Sequence, residues 1–174
     1  MSKSDAIEKI KGIIIGLLQK MGLEADLEVR EQTETVVFNI RTDDSHMLIG
    51  KHGVNLYALQ YIVRVFARRT VSEELDFLID VDDYKRKREA TLENLAEEAR
   101  TMALDKNKAV ALKSMPAHER RIIHAKLSLY DDVTTNSVGE EPERLVVVCP
   151  KGTALATNLT SLPFSENEDY KILD

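Results

Sequence analysis

The stretch His46-Met47-Leu48-Ile49-Gly50-Lys51-His52-Gly53-Val54-Asn55-Leu56 decides how the first half of the chain folds. Its centre has the form Gly-x-x-Gly, and helical patterns lie on both sides of it. A short helix is expected at 46–49 and a longer one from Val54 to Arg69, where apolar residues recur at helical spacing. The two glycines permit a tight backbone and leave no Cβ to keep a ligand away. The sequence therefore predicts a tight glycine turn between two helices.

The chemistry of this turn favours an anionic ligand such as phosphate. The free amide hydrogens and the dipole at the start of the second helix would face an approaching anion. Lys51 adds a cation and His52 adds a hydrogen-bond donor. Ile49, Val54 and Leu56 are expected to form an apolar floor on which unstacked bases lie. The competing explanation is an ordinary turn with an incidental pair of glycines.

The net charge of −6 on 174 residues by itself disfavours a nucleic-acid binder. The distribution of charge answers that objection, because Asp and Glu are absent from 45–69 and collect elsewhere. Four basic residues lie in this acid-free stretch: Lys51, Arg64, Arg68 and Arg69. The sequence thus predicts a local basic face on an acidic protein, against the simpler view of a solvated helix face that lacks acids.

The segments around the glycine turn complete an order of helix, strand, strand, helix, helix, strand. An opening amphipathic helix ends near Met21-Gly22, strands follow at 27–30 and 35–40, and a last strand covers 75–81. This order with its Gly-x-x-Gly turn resembles a type II KH domain, which we place at residues 25–82, with 1–24 as a helix packing on or flanking it. The resemblance implies binding of about four single-stranded nucleotides beside the turn. It gives RNA contacts to Gly50, Lys51, His52 and Gly53, with Ile49 and Arg64 beside them.

The second half opens with a long helix from Tyr84, whose apolar stripe recurs at helical spacing. A strand at 109–112, a helix starting near Pro116, and strands at 132–137 and 144–149 follow, with a turn at 139–142. Beyond Pro150 the chain turns polar and loses its periodicity, so residues 151–174 are predicted to form a flexible polar tail.

Within the predicted helix near Pro116, Arg120 and His124 lie one turn apart on one face. Arginine binds phosphate through a planar fork, and histidine adds one more donor. The alternative is a structural pair bonded to nearby carboxylates such as Glu119 or Asp131. Spacing alone leaves these two explanations open.

The stretch 115–124, followed by 133–140 and Arg144, resembles an R-three-H domain, a family named for its Arg-x-x-x-His. We place this domain at 83–150, including the joining helix. The resemblance implies nucleic-acid contacts by Arg120 and His124, with Arg121 and Arg144 as weaker candidates. The predicted fold class is therefore α+β, a type II KH domain joined by a long helix to a small α/β R-three-H domain.

A KH domain followed by an R-three-H domain resembles the bacterial Jag family, also called KhpB or SpoIIIJ-associated protein. This resemblance implies a cytoplasmic protein that binds single-stranded RNA, and single-stranded DNA through the second domain. It further implies a post-transcriptional regulator or RNA chaperone linked to control of the cell envelope, cell shape and division. The implied protein partner is a small stand-alone KH protein or a second copy. Two features depart from the fuller family pattern. A separate N-terminal Jag domain is not visible, so functions assigned to that domain are not expected here. The segment after Pro150 resembles no part of the family pattern.

Catalysis is not expected. His118-Glu119 begins like a zinc-protease helix, but Ile122 stands where the second histidine ligand should be. Cys149 ends a predicted buried strand and is expected to be a small core residue. We predict no cofactor, no metal site and no membrane insertion, since Ile7–Leu18 is interrupted by charges and too short to span a bilayer. The alternative function is a protein-interaction adaptor in which the KH fold serves dimerisation.

Overall fold

The computed structural model describes residues 2–71, 75–153, 164 and 169–173, and the chain divides into two compact units between Arg86 and Lys87. Each unit has its own sheet and its own apolar core. This arrangement confirms the predicted α+β fold class. The two units are described separately below.

The first unit has the predicted order of elements, and its strand ends differ from the predicted ones by a residue or two. The elements are α1 (Lys3–Lys20), β1 (Asp26–Glu31), β2 (Val36–Arg41), α2 (Ser45–Ile49), α3 (Val54–Thr70) and β3 (Phe77–Val81). A 3-10 turn, Lys51–Gly53, connects α2 to α3. The sheet has the order β1-β2-β3, in which β2 is antiparallel to β1 and parallel to β3.

The first helix, α1, is an integral part of this core. Ser2 and Asp5 form a capping box at its start, and Gly22 follows its end in the left-handed conformation with φ +73°, as the glycine there predicts. Ile10 and Ile14 are fully buried together with residues of α3 and the sheet. Burying such a side chain contributes about 1.5–3 kcal/mol. Among the described residues, no helix has the length and apolar content needed to cross a membrane.

The second unit packs helices on an antiparallel sheet. Its elements are α4 (Tyr84–Lys106), which starts in the first unit, β4 (Val110–Leu112), α5 (Ala117–Leu127), β5 (Val133–Val138), β6 (Leu145–Pro150) and β7 (Tyr170–Ile172). The sheet order is β5-β6-β4-β7. Small side chains on α4, among them Ala96 and Ala99, are fully buried and share the core with Ile123 and Leu127 of α5. The predicted packing of the long helix on the second unit is therefore confirmed.

The prediction of a flexible tail over 151–174 is wrong for its last part. β7 pairs with β4 along Val110↔Ile172 and Leu112↔Tyr170, and Leu173 is buried against the opposite face of the sheet. The strand supplies a partner for an edge of β4 that would otherwise be unpaired. With three residues it is too short to produce a readable alternation. The tail positions 154–163, 165–168 and 174 lie outside the described residues.

Candidate functional site

The Gly-x-x-Gly turn has a backbone that requires its glycines. Gly50 has φ +68° and ψ −176°, a region open essentially to glycine alone, and Gly53 has φ +77°. His52 between them is also left-handed, with φ +54°. A Cβ on Gly50 would lie 2.6 Å from the Asn55 side chain, whose amide donates to the Met47 carbonyl at 2.7 Å and so connects α3 to α2. The turn is therefore fixed by its backbone and by this cross-link.

Two tyrosine rings adjoin the second glycine. A Cβ on Gly53 would lie 3.0 Å from Cε1 of Tyr84 and 3.6 Å from Cε2 of Tyr57. The position tolerates no larger side chain without displacing a ring. Neither tyrosine was predicted to lie beside this glycine. The position of Tyr57 one helical turn after Gly53 is a signal in the sequence, whereas nothing local predicts the contact with Tyr84.

The electrostatics of the turn suit an anion. Lys51 is exposed, and His52 is half-buried. Among the described residues, no side chain caps the start of α3, and the first turn of this helix contains no acidic residue. The amide hydrogens and the positive dipole end of α3 thus face the glycine turn, and no carboxylate in the first turn of α3 competes with an external anion for them.

The predicted apolar floor is only partly present. Ile49 is half-buried against the core, and Val54 is 57% exposed. Leu56 is 1% exposed and belongs to the core, so its assignment to the floor is wrong. The reason is helix geometry, because Leu56 starts the inward face that Leu59 and Val63 continue.

Arg64 lies on the flank of α3 beside β3. Its guanidinium donates to the Phe77 carbonyl at 3.1 Å and lies 3.7 Å from the Asp76 carboxylate. The neighbouring Gln60 also donates to the Phe77 carbonyl and accepts from the Ile79 amide, at 3.2 and 2.5 Å. Both side chains therefore satisfy backbone groups along β3, a role that the sequence did not indicate for Gln60. Contact between Arg64 and RNA stays a prediction.

The side of α3 that faces away from the core is unusually apolar. We call it the α3 outer face; its members are all at least 37% exposed, and they are Val54, Tyr57, Tyr61, Ile62, Val65 and Phe66. They recur at helical spacing, so they form one continuous stripe. Contiguous exposed apolar surface of this kind is typical of an interaction site.

The second predicted site lies between α5 and the strands β5 and β6. Arg120 is buried, with 5% of its surface exposed, and its terminal amine donates to the carboxylate of Glu141 in the turn before β6. Arg120 therefore does pair with a carboxylate, as the structural alternative predicted, but the predicted partner is wrong: Glu119 pairs instead with Arg88, at 2.6 and 2.9 Å, and is 1% exposed. Within the described part of the chain, the buried Nε of Arg120 makes no hydrogen bond.

His124 lies one turn further along α5 and contacts β5. Its Nδ1 lies 2.7 Å from the Thr135 hydroxyl, and its Nε2 lies 2.8 Å from the Ser137 hydroxyl. Thr135 and Ser137 share one face of β5 because they are two residues apart. Burial lowers the pKa of His124, and the positive charges of Arg120 and Arg144 lower it further. These surroundings therefore favour the neutral imidazole.

Arg144, just before β6, is the second arginine of this cluster. It is half-buried, and its buried Nε, like that of Arg120, has no hydrogen-bond partner among the described residues. Arg121, by contrast, is exposed on α5 and is not part of the cluster. The structure therefore brings together Arg120, His124 and Arg144, adds Glu141, Thr135 and Ser137, and leaves Arg121 outside.

The described residues contain no group of three or more His, Cys, Asp or Glu side chains that could hold a metal ion. Cys149 is fully buried, and burial raises the pKa of its thiol, so it is the core residue that was predicted. Glu119 is committed to Arg88, so it does not stand beside His118 as a free carboxylate.

Comparison with protein families places both domains. The KH domain of KhpA/KhpB matches residues 7–77, and the R-three-H domain matches residues 90–150. The first match includes α1, in keeping with its place in the core. The glycine turn lies inside the first match, and Arg120, His124 and Arg144 lie inside the second.

Three curated relatives share one name. The chain is similar to RNA-binding protein KhpB of Lactiplantibacillus plantarum, with 36% identity over 82% of this chain and 44% of the relative. It is also similar to RNA-binding protein KhpB of Clostridium symbiosum, with 35% identity over 75% of this chain and 59% of the relative. The chain thus spans about half the length of these two. The KhpB of Bacillus subtilis is 31% identical over 87% of this chain and 74% of its own length. On these matches, the chain belongs to the KhpB family.

Proposed function

We propose that this chain binds single-stranded RNA, with the Gly50–Gly53 turn as its main contact and the Arg120–His124–Arg144 cluster as a second one. Its role would be that of a cytoplasmic post-transcriptional regulator or RNA chaperone, linked to control of the cell envelope, cell shape and division, without catalysis of its own. The observation that carries the proposal is the open turn, where an exposed lysine adjoins a helix start with no acid in the first turn. The family match and the relatives named RNA-binding proteins support the same function.

The geometry suits a phosphodiester chain. Since the glycines leave no Cβ on the turn, a backbone phosphate can approach the amide hydrogens of α3 closely. Lys51 supplies a positive charge beside them. Exposed Val54 and the ring of Tyr57 offer apolar surface next to the turn for unstacked bases.

The experiment is binding of short, labelled single-stranded RNA across a salt series. The test variant is Lys51→Asp with His52→Asp, which keeps both glycines but reverses the charge of the turn. The matched control is Lys106→Asp with Asn107→Asp. It carries the same change of charge and also places an aspartate at a left-handed residue, since φ is +50° at Asn107 and +54° at His52.

We expect the test variant to lose at least about tenfold in affinity and to show a shallower salt dependence, by roughly 0.7 in slope per lost phosphate contact. The control should bind like the wild type. Equal binding by test variant and control would contradict the turn as the main site and move it to the second cluster. No RNA binding by the wild type would contradict the proposed function.

A second candidate function is that of a protein-interaction adaptor. The α3 outer face favours it, because six exposed apolar residues on one helix are a costly surface for a monomer. We infer that this face docks another KH domain, either a small stand-alone KH protein or a second copy. The matching KH family, which covers both KhpA and KhpB, supports a partner of related fold.

The test is the mass of the chain in solution, alone and mixed with a small KH protein, by light scattering. Tyr61→Glu is the variant, since Tyr61 is 70% exposed and its loss leaves the core intact. Wild type should form a dimer or heterodimer that the variant does not form, while RNA affinity per protomer falls less than with the Lys51 variant. A wild type that stays monomeric under both conditions would contradict the docking role.

A further inference from the structure

The Arg120 side chain is closed off by the protein's own carboxylate. Its surface is 5% exposed, and its terminal amine is hydrogen-bonded to Glu141. The amine that a phosphate would need for a two-pronged contact is therefore already held by Glu141. Carboxylate and phosphate oxygens compete for this amine, so a phosphate can take it only when Glu141 releases it.

Glu141 is placed so that it can leave. It lies in the turn between β5 and β6, where residues 139–143 are exposed, and its side chain is 54% exposed. Because the Glu141 side chain is solvent-accessible, an external anion can reach the pair and take the place of its carboxylate. The buried arginine, in contrast, needs some anionic partner, because a buried charge without one is costly.

The surroundings of Glu141 contain donors without a partner in the described part of the chain, which favour its replacement by a ligand with more acceptor oxygens. The buried Nε atoms of Arg120 and Arg144 are both without a hydrogen-bond partner among the described residues. One carboxylate satisfies a single amine of Arg120 in the contacts described above. A phosphate has several acceptor oxygens and could therefore accept hydrogen bonds from both arginines. His124, in the same cluster, contacts the Thr135 and Ser137 hydroxyls.

We propose that Glu141 is an internal competitor of nucleic-acid phosphate for Arg120, so that RNA binds the second cluster only when Glu141 leaves. This inference rests on the proposed function, because it assumes that the cluster binds RNA. The ligand class is a phosphodiester or phosphate group of a single strand. Glu141 thereby sets the affinity of the second site and keeps Arg120 paired when RNA is absent.

The experiment measures single-stranded RNA affinity in the full chain that carries Lys51→Asp and His52→Asp, so that the second cluster dominates binding. Into this background we introduce Glu141→Gln, with Glu140→Gln as the matched control on the same turn. Both remove one negative charge, so a general change of charge affects them alike. We expect Glu141→Gln to bind about two- to fivefold tighter than Glu140→Gln, the range of one partly exposed ion pair. Equal or weaker binding would overturn the inference.

Arg120→Gln in the same background separates this inference from the proposed function. If Arg120→Gln leaves affinity unchanged, the second cluster is not an RNA site and both statements fail. If it weakens binding while Glu141→Gln brings no gain, the RNA site stands and the competitor role fails. Because Arg120→Gln removes a buried side chain, the unmutated chain is also followed by NMR through the Nε–H signal of Arg120. Added RNA should shift this signal; an unmoved signal at saturation would overturn the inference.

Discussion

The glycine turn of the first unit and the Arg120 cluster of the second unit, which we propose as the two anion sites, are built in opposite ways. The turn offers backbone amides and an exposed lysine, and its first helical turn holds no acid. The cluster instead offers a buried Arg120 that is already bonded to Glu141, and a half-buried His124 that is bonded to Thr135 and Ser137. On our proposal, the turn accepts a phosphate without rearrangement, whereas in the cluster the phosphate must first replace Glu141.

This difference teaches which part of each site depends on folding. The turn is built from backbone conformations, so it depends on two glycines and on the Asn55 cross-link. The cluster is built from side chains held by neighbours, so it depends on the packing of α5 against the sheet. Damage to packing should therefore abolish the second site and spare the first.

The largest expected effect comes from the buried pair of Glu119 and Arg88. Glu119→Gln should lower the free energy of unfolding of the second unit by about 3 kcal/mol, because it leaves the Arg88 charge without its buried carboxylate. Glu98→Gln on the exposed side of α4 is the control, with little change expected. Urea denaturation followed by hydrogen exchange in each unit measures this. An equal loss of stability in both variants, or a loss confined to the first unit, would refute the stabilising role of the Glu119–Arg88 pair in the second unit.

A smaller effect is expected from Gly50→Ala. The alanine must adopt φ +68° and ψ −176° and displace Asn55, which should cost about 2 kcal/mol in the first unit and weaken RNA binding at the turn. Gly16→Ala in α1 is the control, since nothing lies within 4 Å of its added Cβ; it should stabilise by about 0.5–1 kcal/mol. Hydrogen exchange of the α3 amides and RNA titration report both effects. An alanine at position 50 without cost would show that the turn does not need its glycine.

The smallest effect concerns pH and the second unit alone. Burial, with Arg120 and Arg144, lowers the pKa of His124 from 6.5, so the unfolded chain binds this proton more readily than the folded one. The contribution of His124 to stability is then complete above pH 6.5 and is lost as the pH falls from 6.5 toward the folded pKa. Thermal unfolding of the second unit between about pH 8 and 5 should show this decline, and His124→Gln should reduce it. An unchanged pH profile in His124→Gln would contradict the assignment.

The order of elements could be predicted because the apolar periodicity of each helix or strand ends where a glycine, proline or turn residue marks a boundary. Gly22, the Gly50–Gly53 turn and Pro116 mark ends that the structure confirms, and the apolar stripes of α3 and α4 face the cores. The position of Leu56 was mistaken because the sequence does not show where around α3 the boundary between core and surface falls.

Long-range pairing could not be predicted from local patterns. The partner of Arg120 is Glu141, 21 residues away in another turn, whereas the sequence suggested nearer carboxylates. Likewise β7 acquires its strand conformation from β4, which lies far back in the chain. The burial of Arg120 also has no local signature, since arginines are mostly exposed.

NMR titration of the full chain with a short single-stranded RNA tests most directly the claim that one site is open and the other closed. Backbone amide signals of Gly50 and Gly53 report on the turn, and those of Thr135 and Ser137 report on the cluster. We predict that the turn signals move at the lowest RNA concentrations and that the cluster signals follow at higher ones. Movement of the cluster signals first, or no movement of Gly50 and Gly53 at saturation, would contradict the account.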